Sequence, residues 1–72
     1  MKTVLSQFVK GERKKNKLTQ VDLADRCGVG LRFLRELEQG KPTLRIDKVN
    51  QVLNMFGAEL GPIPMKRKEI DE

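Results

Sequence analysis

Apolar residues return at three- and four-residue steps through most of the chain, the mark of short amphipathic helices. Val4, Leu5, Phe8 and Val9 make the first stripe, with Thr3 placed to cap it and Asn16 to close it. Leu23, Ala24 and Cys27 make the second, opened by Thr19 and by Asp22 three residues on, the spacing of a capping box. Gly28 and Gly30 flank Val29, where a tight turn needs backbone states that other residues resist. A third helix is expected over Leu31 to Gln39, with Leu34 and Leu37 facing inward and Gly40 as its stop. Thr43 is placed to cap a fourth, whose inward residues are Ile46, Val49, Val52, Leu53 and Phe56 before Gly57 ends it.

After Gly57 the pattern changes. Gly61, Pro62 and Pro64 exclude a helix, so a short extended segment is expected over residues 58–64, with a free edge that wants a partner. Residues 65–72 are charged and read as a flexible tail. The expected fold class is therefore all-α: four to five short helices over residues 1–57, one short C-terminal β-strand, and a tail. At 72 residues there is room for one modest core.

Charge and composition narrow the function. The formal charge is +5, and it equals the excess in the first 17 residues, where Lys2, Lys10, Arg13, Lys14, Lys15 and Lys17 face only Glu12. Such a face attracts a polyanion, nucleic acid or anionic lipid, although cations at Lys10 to Lys17 also suit a helix C-terminus. With no histidine and one cysteine, Cys27, neither a histidine base nor a zinc site can be built, and no disulfide can form within the chain. Cys27 sits at an apolar position and reads as core filling. No enzymatic activity, metal or cofactor is expected, and no membrane span, so the location expected is the cytoplasm.

Gln20 to Gln39 carries the informative constellation. Two short helices that cross steeply need a small residue where they approach, a permissive turn, and a long apolar residue to lock the crossing; Ala24, Gly28 and Leu34 supply them. The second helix then projects, and a projecting helix of this size fits the DNA major groove.

The runs Leu18 to Gly28 and Leu34 to Lys41 resemble the Xre/Cro-type, lambda-repressor-like helix-turn-helix family over roughly Leu5 to Leu60. Phe33 to Thr43, Asp47 to Val49 and the helix ending at Gly57 look more narrowly like HipB-type antitoxins. The resemblance implies that Gln20 holds a DNA phosphate, where helix amides also favour anions. It places base reading in Leu31, Arg32, Phe33, Arg35 and Glu36, with a backbone phosphate contact at Gly30. Arg32 is the strongest reader, since a guanidinium forks onto guanine. Leu31 and Phe33 depart from the usual polar occupants; they either meet thymine methyls, or Phe33 packs beside the first helix. Lys41 and Arg45 would touch phosphates, with Lys10, Lys14 and Lys17 as weaker candidates. Arg13 and Glu38 match positions that pair to hold the first helix to the third.

The implied protein is a bacterial, nucleoid-associated repressor that binds a palindromic operator on double-stranded DNA as a homodimer. Phe56, Ala58, Leu60 and Ile63 would form its dimer contacts through paired strands. A HipA-like serine/threonine kinase toxin is the implied protein partner, with Met65 to Glu72 a candidate contact. The competing reading is an interaction module that neutralises such a toxin with little DNA binding.

Overall fold

A computed structural model describes residues 3–64 of the chain. Four helices follow in order: α1 (Val4–Lys15), α2 (Gln20–Cys27), α3 (Leu31–Gln39) and α4 (Ile46–Asn54). α1 packs against α3, and α2 packs against both α3 and α4. Each is too short to persist alone in water, so their shared core holds them. That core is Val9, Leu23, Ala24, Cys27, Val29, Leu34, Leu37, Val49, Val52 and Leu53, with Leu5, Leu18, Phe33, Leu44, Phe56 and Ala58 packed at its margin.

The helix starts are written in side-chain hydrogen bonds. The Thr3 hydroxyl accepts from the Ser6 amide at 3.0 Å while the Ser6 hydroxyl accepts from the Thr3 amide at 2.8 Å. Ser6 is buried, a polar residue that a hydrophobicity pattern passes over. Thr19 and Asp22 repeat the exchange at α2, at 3.0 and 3.2 Å. The two bonds from Thr19 hold the exposed Asp22 carboxyl below its ordinary value, backbone bond first. α4 differs from expectation: its N-cap is Arg45, two residues past Thr43, and no side chain caps it. Asp47 in the first turn supplies the negative charge that a helix start favours.

The helix ends rely on left-handed backbone. Gly28 has φ 75 and Gly40 has φ 86, a region costly for any residue with a Cβ. At the end of α1 the same place falls to Lys17, at φ 58. Gly30 needs no such freedom; it is extended, at φ −71 and ψ 150, and serves as the N-cap of α3. α4 stops at Asn54, and a turn carries the chain on to Gly57.

Three further expectations are corrected. Val4 is 87% exposed and Phe8 39%, since α1 buries only the stripe through Leu5, Ser6 and Val9. Ile46, at the first turn of α4, also faces outward. Among the described residues there is no strand: residues 58–64 run without a ladder, because a lone segment has nothing to pair with. The segment is tied down all the same, by a 2.7 Å bond from the Leu60 amide to Asn50 Oδ1. The tail assigned to residues 65–72 lies outside the described residues, and so does the partner contact expected of it.

Ala24 is 3% exposed within the core. Ala24→Leu should cost about 1–3 kcal/mol of stability by overpacking, read as a lower urea midpoint with an unchanged slope. A variant as stable as the parent would show that the α2 crossing has room to spare.

Candidate nucleic-acid interface

α3 sorts its side chains sharply between inside and outside. Leu34, Leu37 and Glu38 are buried, while Arg32, Arg35 and Gln39 are exposed, the three- and four-residue spacing of one outward face. The Arg32 side chain is 92% exposed. Its Nε lies 3.5 Å from Glu36 Oε2, and Lys41 Nζ reaches the same oxygen at 3.4 Å. An exposed ion pair of this kind contributes little and exchanges readily for another anion.

The far end of α3 is held by a buried charge pair. Arg13 donates from Nε to Glu38 Oε2 at 2.7 Å and from Nη2 to Glu38 Oε1 at 3.0 Å, the two-pronged geometry in which an arginine is strongest. Its remaining nitrogen donates to the Leu18 carbonyl at 3.0 Å, so α1, the loop before α2 and α3 meet at one guanidinium. Gln20 completes the group, donating from Nε2 to Glu38 Oε1 at 3.1 Å. The pairing of Arg13 with Glu38 that the family resemblance implies is present. Its link to Gln20 was not visible in the sequence, because residues eighteen apart share no local spacing.

A concave surface opens over this pair. Lys10 and Lys14 of α1, Gln20 of α2, and Arg35 and Gln39 of α3 line it, with Arg13 and Glu38 at its floor. It is cationic, and it joins the expected phosphate holder Gln20 to a helix face that carries arginine. One amide hydrogen of Gln20 is committed to Glu38, which leaves the second for a phosphate oxygen. Lys10 and Lys14 therefore stand nearer the site than their late place among the sequence candidates implied. Gly30 has open space around its Cβ position and caps α3 without a side chain, so no cap side chain occupies the first amides of that helix.

Other expected contacts have local partners. Arg45 is bound to Asp47 at 2.7 Å, which holds the Asp47 carboxyl below its ordinary value. Phe33 is half-buried and packs on the core margin, and Leu31 is half-buried too. Cys27 is buried, with its thiol raised by desolvation, and its sulfur lies 3.8 Å from that of Met55. Among the described residues, no group of acidic or cysteine side chains is placed to hold a metal. No described helix is long and apolar enough to cross a membrane.

Comparison with known proteins bears on this arrangement directly. The family model described as Helix-turn-helix matches residues 9–63, a span that runs from the middle of α1 through α4 and into the extended segment. The chain belongs to the helix-turn-helix family. It is also 46% identical over 56 residues to the uncharacterized HTH-type transcriptional regulator y4mF of Sinorhizobium fredii, covering 78% of this chain and 74% of that protein. The Xre/Cro-type resemblance read from Leu18 to Lys41 is borne out by that match; the narrower likeness to HipB-type antitoxins gains nothing from it. In this helix-turn-helix protein, α2 and α3 are the two helices and Gly28 to Gly30 the turn.

The Glu38 side chain is 4% exposed and that of Arg13 12%, so removing either strands a charge away from water. Glu38→Ala should therefore cost roughly 3–5 kcal/mol, measured by chemical denaturation. A loss below about 1 kcal/mol, the size of an exposed pair, would show that water reaches the site on demand.

Proposed function

We propose that this helix-turn-helix protein is a sequence-specific DNA-binding transcriptional regulator, a repressor that inserts α3 into the major groove. The observation that carries the reading is the union, on one rigid body, of an exposed arginine face on α3 with a cationic cleft that contains Gln20. Arg32 and Arg35 read base edges, with Glu36 able to accept from a cytosine amine. Gln20, the amides that follow Gly30, and Lys41 and Arg45 hold phosphates and set the register without specifying sequence. Leu31, half-buried at the first turn of α3, is the apolar side chain offered to a thymine methyl. The family match and the name given to the Sinorhizobium protein both support regulation of transcription.

One copy offers few base contacts, so the protein works as a homodimer on a palindromic operator, with half-sites about one or two DNA turns apart. The exposed apolar side chains support this. Ala58, Leu60 and Ile63 line a groove with Val4, Leu5 and Phe8 of α1, and Ile63 is 83% exposed. Phe56 packs against the core instead. The finer reading, an antitoxin that binds a HipA-like serine/threonine kinase and represses its own operon in the bacterial cytoplasm, is supported by the HipB-like stretches Phe33 to Thr43 and Asp47 to Val49.

Selection of bound duplexes from a random pool, followed by titration, tests the reading. Arg32→Ala should cost about 1–3 kcal/mol on the selected site and relax preference at one base position. Gln20→Ala should weaken selected and random duplexes alike and lower the salt slope. If neither change alters binding, α3 is not the reading helix. In sedimentation, Ile63→Asp should move the protein toward monomer and weaken the palindrome far more than an isolated half-site; an unchanged dimer places the subunit contact elsewhere.

A further inference from the structure

The turn between α2 and α3 is held from outside the two helices it joins. Gln51 of α4 donates from Nε2 to the Cys27 carbonyl at 2.6 Å and lies 3.3 Å from the Gly28 carbonyl. These carbonyls sit at the end of α2, where helix geometry leaves acceptors without partners. The contact is close: a Cβ built on Gly28 would stand 3.1 Å from the same Nε2. Gly28 is therefore constrained twice, by its left-handed backbone and by the amide pressed against it. The Gly28 and Val29 amides both donate back to the Ala24 carbonyl, at 2.9 and 3.1 Å, so it is the carbonyl side of the turn that Gln51 secures. Val29 is buried, but Gly30 makes no side-chain cap and has nothing near its Cα that a side chain would meet.

We propose that Gln51 is a positioning residue for α3, fixing the path of the turn and so the angle at which Arg32 and Arg35 meet base edges. The inference rests on the reading that α3 binds DNA. Base recognition depends on hydrogen-bond geometry at the end of two long side chains, whereas attraction to phosphates tolerates a shift of the helix. Loss of the Gln51 donor should therefore lower selectivity and leave general affinity for DNA in place. A residue that served stability alone would lower both together.

The test uses the full chain with two substitutions of similar size. Gln51→Met removes the donor, and Gln51→Glu presents a carboxylate to the same carbonyls. Affinity is measured at one salt concentration for the selected operator and for a random duplex. Gln51→Met should lose about threefold to tenfold on the operator, the worth of one net hydrogen bond, and nothing on the random duplex. Gln51→Glu should lose at least as much at neutral pH. Relative to the parent, it should recover as the pH falls and the carboxyl becomes a donor. In the DNA-free protein, the Gly28 and Val29 amides should exchange faster in Gln51→Met, while those of α1 keep their rate. An unchanged selectivity ratio overturns the proposal, and so does a parallel loss on both duplexes accompanied by a lower Tm. Should the parent protein select no DNA, the reading of α3 falls, and amide exchange alone decides whether Gln51 holds the turn.

Discussion

The bidentate pair between Arg13 and Glu38 is the constraint on which the arrangement of this molecule depends. Three short helices and a loop converge on it, and none of them has enough buried surface to fix its own direction. A hydrophobic core of Leu and Val tolerates several packings of nearly equal energy, since apolar contact has little directionality. Two parallel hydrogen bonds between planar groups, largely withdrawn from water, have one geometry. The pair need contribute little net stability over an apolar substitute to perform this task. What it removes is the set of alternatives in which α3 slides or rotates against α1.

That pair pins only the C-terminal half of α3. The N-terminal end is set by the turn, where left-handed Gly28, buried Val29 and the amide of Gln51 act together. The residues between the two anchors, Arg32 to Arg35, are the ones on which base reading would fall. A helix held at both ends presents its side chains from a fixed axis, and only the long arginine stems retain freedom to adapt. α4 has a part in this beyond core filling. Its neighbouring residues Asn50 and Gln51 grip the extended segment on one side and the turn on the other. The groove at residues 58–63 and the start of α3 are thus both referenced to one helix.

Much of this was legible in the sequence because local chemistry and global packing agree over α2 and α3. Thr19 with Asp22 announces a helix start, Gly28 and Gly40 announce ends, and Leu34 with Leu37 marks the inward face; the structure returns each of them. The extent of α3 follows from the same agreement, whereas the Arg13–Glu38 pair was implied by the family resemblance alone. What could not be read falls into two kinds. Val4, Phe8 and Ile46 fit helical periodicity but face outward, because a stripe gives spacing and not which of its edges meets the core. The bonds of Gln20 to Glu38 and of Gln51 to Cys27 join residues far apart in sequence through polar side chains, and periodicity carries no signal for such pairs. The cap of α4 was misplaced for a simpler reason: Thr43 has the right chemistry, but Leu44 and Arg45 remain in the loop.

The exposed face of α3 contains its own counterweight. Glu36 lies between Arg32 and Lys41 and draws both cations toward itself. On a helix meant only to adhere to phosphates, a carboxylate in this place would be a plain loss, since it repels the backbone that the cations attract. In a reading helix the same charge has a use. It would occupy the arginine in the absence of a suitable base at the small cost of an exposed pair, and would disfavour sequences that offer the arginine no acceptor to replace the carboxylate. On the proposed reading, weak binding to random DNA and discrimination at an operator would both arise from this one residue, in keeping with specificity as a difference between affinities.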